Sequence, residues 1–284
     1  MIRKRRLVIN ADDFGLSAGV NRGILEAHAA GTVSSTSLLV NAPGFQDAVR
    51  GAHAAPALGV GLHVNLTMGA PVSPATAVPS LCDARTGRFC PLSRLIARVL
   101  VGRVDGAEVA LECAAQIERA RGAGVGLTHL DGHQHTHVLP GIWGPVVEAA
   151  REAGIDVMRL GLEPAVGIAW RPFAAVGRLL LTASWRRATS GAPLPRHADH
   201  FRGFALTGRR DFLERLLAVL DRLEPGVTEL MVHPGYADAS LGGWVSYGAG
   251  RERELEALTS PAVRSRLGRG DIELIGFGAF SSSA

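Results

Sequence analysis

Short apolar runs that end in polar residues recur along the 284-residue chain, separated by stretches of helical periodicity. Leu7-Val-Ile runs into Asn10-Ala-Asp-Asp-Phe-Gly15 and reads as a buried strand whose C-terminal end delivers Asp12 and Asp13. Apolar positions at Val20, Ile24, Leu25, Ala27 and Ala29 predict an amphipathic helix after it, completing a first strand-loop-helix unit. Gly59-Val-Gly-Leu-His63-Val-Asn-Leu-Thr67 predicts a strand with a histidine embedded in it. Thr228-Glu-Leu-Met-Val-His233 predicts another, closed by a Pro-Gly turn before Tyr236. A last run, Ile272 to Phe277, predicts a strand that closes or edges the sheet beside the first.

The alternation continues from Leu7 to Phe277 without a linker or low-complexity tract. It predicts one α/β domain of barrel type over residues 1–284, with a core of about 7–277. The Pro-, Ala- and Gly-rich stretch from Thr67 to Pro91 is expected to be a loop covering the site. Trp170 to Thr189 breaks the alternation: Pro172 suits a first helical turn, and Trp170, Phe173, Leu180 and Leu181 share a stripe. This is either a lid helix docked on the barrel or a helix against a membrane surface or lipid-linked substrate.

Composition changes this picture little. The formal net charge is +4, and the basic cluster at Arg3 to Arg6 reads as a solvated flank, with no nucleic-acid module behind it. Cys82, Cys90 and Cys113 have no CxxC spacing, as expected of reduced thiols. No secretory signal and no run of transmembrane length are visible, so the expectation is a cytoplasmic protein. Peripheral membrane contact would fall to the 170–189 segment.

The chemistry concentrates in Leu127-Thr-His-Leu-Asp-Gly-His-Gln-His-Thr-His137. His129, Asp131, His133, His135 and His137 share one parity, so on an extended segment all five leave the same face. A polar loop is the alternative. Four predicted strand ends thus bring Asp-Asp, His, the histidine run and His233 together. If Asp13, His63 and His133 hold one divalent ion, two imidazoles and a carboxylate leave positions open for water and substrate. Asp12, beside a ligand, can then take a proton from water, and His233 can protonate a leaving amine. Imidazole donors favour zinc over magnesium. His135 and His137 orient ligands, bind substrate or do neither.

Asn10-Ala-Asp-Asp-Phe-Gly-Leu-Ser17, Gly61-Leu-His63, Thr128 to His137, His233-Pro-Gly-Tyr236 and Leu258-Thr-Ser-Pro261 together resemble the YdjC-like carbohydrate deacetylase family. The resemblance implies an irregular (β/α) TIM-like barrel and a metal-dependent hydrolase removing N-acetyl groups from amino sugars. It implies Asp12 as base, His233 as acid, Asp13, His63 and His133 as metal ligands, and zinc or magnesium as the ion. His129, Asp131, His135, His137, Arg159 and Tyr236 are candidates for contacting substrate or supporting these groups. The family often has Ser or Ala where Gly132 stands, a change expected to be harmless. The Arg- and Trp-rich stretch from Gly161 to Phe201 reads as a variable, lid-like insertion. It is more similar to the branch associated with hopanoid or other glycolipid synthesis than to chitooligosaccharide-acting members, which implies a lipid-linked amino sugar. Implied partners are that N-acetylated substrate and a second copy in a homodimer. A competing reading is another metal amidase or phosphoesterase on a barrel, but an amidohydrolase expects His-x-His on the first strand. A sugar-binding relative without catalysis would lack a ligand, base or acid, and each of those positions is filled.

Overall fold

The run from Leu7 forms the middle of a parallel sheet in the computed structural model, which describes residues 4–161, 163, 194–238, 241 and 248–280. The predicted 170–189 helix, and with it most of the expected 161–201 insertion, lies outside the described residues. Among them, seven strands form the sheet: β1 (Arg5–Phe14), β2 (Ser35–Leu38), β3 (Gly59–Val64), β4 (Leu130–Gly132), β5 (His200–Arg202), β6 (Gly226–Val232) and β7 (Ile272–Leu274). Their order is β4-β3-β2-β1-β6-β5, with β7 beside the start of β1. Every ladder is parallel, and a strand covered on both faces has no solvated side to alternate with. That is why β1 is buried without a break from Leu7 to Phe14. One edge of β1 is divided between two partners, β7 along Arg5–Leu7 and β2 along Asn10–Phe14. The terminal run therefore edges the sheet beside the first strand.

The sheet curls but is not a fully closed barrel. From β4 to β5, through β1, the strands form continuous ladders. The remaining side is spanned by isolated bridges, Leu130 with Met158 and Val157 with Arg196. The expected barrel-type fold is met in coarser form, a curled parallel sheet that makes a half-barrel without full closure: on the open side Val157 and Met158 each form a single bridge in place of a ladder.

Helices α1 (Ala18–Ala29), α2 (Phe45–Ala54), α3 (Leu92–Leu100), α4 (Gly106–Gly122), α5 (Trp143–Glu152), α6 (Phe212–Asp221), α7 (Gly248–Thr259) and α8 (Pro261–Leu267) pack around it. Ser17 caps α1 by accepting from the Val20 N–H at 3.2 Å, and Val20, Ile24 and Ala27 face the core. A Cβ on Gly23 would lie 2.6 Å from Gly235 Cα, so α1 presses directly on the Pro-Gly turn after β6. Ser260 and Pro261 start α8 in the same way, with Ser260 accepting from Val263.

The loop from Thr67 to Pro91 does not cover the site. Glu112 on α4 accepts from the Val72 and Ser73 N–H groups at 2.9 Å each, and Glu108 from Ser80 at 2.7 Å. Arg98 on α3 donates to the carbonyls of Ser80 and Cys82 at 2.6 and 3.0 Å. These bonds hold the loop along α3 and α4, and none of its residues lines the cleft at the strand ends. No described helix is long and apolar enough to cross a membrane.

Candidate active site

At the end of β1 the register against β2 shifts between Ala11 and Phe14, and Asp13 adopts φ 72°. In a regular strand two adjacent side chains point to opposite faces. The left-handed residue breaks that alternation, and Asp12 and Asp13 both line one cleft. Gly15 continues the turn at φ +92°, where a Cβ would meet the Leu39 carbonyl oxygen at 2.6 Å.

The cleft, of about 500 Å3, is also lined by His63 near the end of β3, His133 just past β4 and His233 just past β6. Asp13 Oδ1 accepts from His133 Nδ1 at 3.0 Å and lies 3.5 Å from His63 Nε2. Asp13, His63 and His133 each offer a ligand atom within 4.8 Å of the others. His133 Nε2 is buried and without a hydrogen-bond partner among the described residues. One carboxylate, two imidazoles and an orphaned buried nitrogen fit a divalent cation. Arg251 on α7 pairs with the other oxygen of Asp13. Burial alone would raise the Asp13 carboxyl, but the Arg251 guanidinium and His133 hold it well below the usual range. Burial opposes charge on His63, yet the Asp131 carboxylate, 2.7 Å from its Nδ1, and the bond to Asp13 push it up to about 10.

Behind these groups lies a buried polar layer. Arg159 donates through Nη1 to Asp12 Oδ2 at 2.7 Å and through Nη2 to Asp12 Oδ1 at 2.7 Å. The same Nη1 lies 2.8 Å from Asp131 Oδ2, and Nε donates to Glu229 at 2.6 Å. Asn10 Nδ2 donates to Asp12 Oδ1 and to Ser37 Oγ, each at 2.8 Å, and Ser37 Oγ donates to Asp131 Oδ2 at 2.8 Å. Glu229 feels burial first, which outweighs Arg159 and leaves its carboxyl at about 7.

The histidine run does not share one face. β4 ends at Gly132, and His133 to Val138 coil into a 3-10 turn with Gln134 and His135 at φ 53° and 55°. His129 faces inward onto the Phe277 ring, centroids 4.0 Å apart, with Nε2 3.2 Å from Ser37 Oγ. His135 lines the cleft beside Phe204, centroids 4.4 Å apart. His137 Nε2 donates to the Arg159 carbonyl at 2.9 Å, away from the cleft. A Cβ on Gly132 would meet His137 Nδ1 at 2.7 Å and its Cβ at 2.9 Å. Gly132 therefore gives His137 its room, and an Ala or Ser here would require His137 to move. Tyr236 stands outside the cleft, in a groove of about 970 Å3 along α1 and α2. Its hydroxyl donates to Glu26 at 2.7 Å, and Arg22 lies 4.0 Å over its ring.

Ser37, Glu229, Arg251 and Glu254 escaped the sequence reading. Glu254 accepts the backbone N–H of His233 at 2.6 Å, so α7 braces both Asp13 and the loop after β6. Glu229 had a signal, a carboxylate inside an apolar strand. Arg251 and Glu254 sit among the alternating charges of Arg251-Glu-Arg-Glu254, where nothing marks them as buried.

The model of the YdjC-like protein family matches residues 6–269. The chain is 37% identical over 272 residues to a carbohydrate deacetylase of Brevibacillus brevis, covering 96% of this chain and 98% of that protein. It is 35% identical over 264 residues to a chitooligosaccharide deacetylase of Klebsiella pneumoniae, covering 92% of this chain and 94% of that one. A solved structure from Enterococcus faecalis, described as a candidate cellobiose-phosphate cleavage protein, superposes with a TM-score of 0.77 at 28% identity. It covers 98% of this chain and 99% of its own. With a family model spanning nearly its whole length and relatives aligned end to end, the chain belongs to the YdjC-like family, that of the carbohydrate deacetylases, hydrolases of the amide bond.

Proposed function

We propose that this protein is a metal-dependent hydrolase that removes the N-acetyl group from an N-acetylated amino sugar. The observation that carries the reading is the convergence of Asp13, His63 and His133 within 4.8 Å, in a chain 37% identical to a carbohydrate deacetylase. Asp13, His63 and His133 would hold a divalent ion, which would supply Lewis-acid chemistry toward the acetamide carbonyl and a water. Zinc suits two imidazoles better than magnesium does. Asp12 takes the proton from the attacking water. Its Oδ1 already accepts from Asn10 and Arg159, whereas Oδ2 accepts from Arg159 and keeps a lone pair to spare. His233 gives a proton to the departing nitrogen as the C–N bond breaks, so acetate and a free amine leave. The cysteines are free and buried, in keeping with a reducing, cytoplasmic location.

The test is acetate release by metal-stripped and zinc-reloaded protein on N-acetylated chitooligosaccharides and on a lipid-linked N-acetyl amino sugar. Activity is expected to return with the ion. Asp12→Asn should keep the ion and lose turnover by roughly 10²- to 10⁴-fold. His133→Ala should fall well below one ion per chain. Full metal content in His133→Ala, or turnover independent of the ion, would overturn the reading. Turnover of the lipid-linked compound alone would select the glycolipid class.

A further inference from the structure

The buried layer holds two sets of donors for a cation, and they share a residue. Asp13, His63 and His133 are one; Asp12, His63 and Asp131 are the other, with ligand atoms equally within 4.8 Å. A positive group already stands in the second. Arg159 spans Asp12 and Asp131 through one nitrogen at 2.7 and 2.8 Å and grips Asp12 again through the next at 2.7 Å. Its third arm is held by Glu229, and its side chain has no exposed surface. A guanidinium does not lose its proton in a protein, so this charge is permanent. In the first set, by contrast, Arg251 takes only the outer oxygen of Asp13, and Oδ1 still faces both imidazoles.

We propose that Arg159 is the fixed cation of the second set, a positioning residue that keeps Asp12 and Asp131 off the metal. The protein is thereby confined to one ion at Asp13, His63 and His133, and Asp12 stays available as the base. The inference rests on the ligand assignment proposed above. Without Arg159, Asp12 and Asp131 lose the positive charge that bridges their Oδ2 atoms, and a dication is the ready replacement.

Zinc dissociation constants and zinc content per chain test this in wild type, Asp12→Asn, Arg159→Met and the double variant, each checked for native circular dichroism. With Arg159 present, Asp12→Asn should shift the dissociation constant by less than about 3-fold, as for uncoupled sites. In the Arg159→Met background, zinc content should exceed one per chain, and Asp12→Asn should abolish the excess or weaken binding by about 10-fold or more. Equal shifts in both backgrounds overturn the proposal. If Arg159→Met does not fold, Arg159→Gln decides: its amide removes the charge but can still hydrogen-bond a carboxylate. Coupling of the same sign is then expected, and its absence in folded Arg159→Gln overturns the proposal. Failure of the wild type itself to take up zinc would instead overturn the ligand assignment, which separates the two failures.

Discussion

Asp131 holds His63 by its Nδ1 at 2.7 Å, with 0% of one side chain and 2% of the other exposed. The contact fixes the ring so that Nε2 faces Asp13, and it makes the imidazole a stronger donor. Asp131→Asn keeps the shape and removes the charge. Metal affinity should fall about 10- to 100-fold, with Asp13 and His133 intact, as read by competition with a chelator. Unchanged affinity would mean that Asp131 serves only Arg159 and Ser37.

The same pairing makes metal binding depend on pH. Against the effect of burial, Asp131 and Asp13 raise His63 to about 10, so near neutrality the ring carries a proton that an incoming ion must displace. Apparent affinity should therefore rise with pH up to about 10, by at most about tenfold per unit for this one proton. Calorimetric titrations in two buffers of different ionisation enthalpy count the protons released. Asp131→Asn should release fewer, and an equal count in both proteins would rule out the carboxylate as the source of the raised pKa.

His129 sets an acid limit on the fold. Burial pushes it down to about 3 from the ordinary 6.5, against the opposing pull of Asp131. The folded pKa lies below the unfolded one, so the contribution is full above pH 6.5 and is lost as pH falls toward 3. The loss over that window is on the order of 5 kcal/mol. His129→Asn should be less stable near neutrality but lose less on acidification, as measured by urea unfolding at each end of the window. Parallel pH dependence in both proteins would rule His129 out as the titrating group.

Two glycines in the site region are there for lack of room. A Cβ on Gly61 would overlap the His129 ring, and one on Gly132 would press on His137. Gly61→Ala and Gly132→Ala should each destabilise by about 1 to 3 kcal/mol. Gly144→Ala, where a Cβ meets nothing within 4 Å inside α5, should be neutral or stabilise by about 0.5 to 1 kcal/mol. Thermal unfolding of the three variants decides, and a loss at Gly144 equal to the others would remove the steric explanation.

The sequence was most legible where one rule acted alone. Leu7-Val-Ile, Gly59 to Val64 and Thr228 to Val232 are strands because an uninterrupted apolar run suits a strand buried on both faces. The groups at or near their C-terminal ends, Asp13, His63 and His233, followed from that. Parity failed at His133, because two left-handed residues turn the chain before the alternation can continue. Tyr236 was drawn in by proximity to His233, but the Pro-Gly turn carries it around to α1. Local pattern gave Arg251 no place, and it gave Arg159 only candidacy for contacting substrate or supporting the site. Each is buried only because carboxylates from distant strands meet it, and that meeting exists only in the fold.

The incomplete side of the sheet has a mechanical consequence. Where β4 meets Met158 and Val157 meets Arg196, single bridges replace a ladder, and this seam is where Arg159 enters the interior. From there its guanidinium reaches carboxylates on β1, β4 and β6. Along this one stave, ion pairs reinforce a short stitching of backbone amides, two hydrogen bonds between Leu130 and the Val157–Arg159 stretch and two between Arg196 and the Asp156–Met158 stretch. A change that weakens the charge cluster should unlatch the wall as well as the chemistry, and amide exchange at Leu130 and Met158 should quicken before it does along β1.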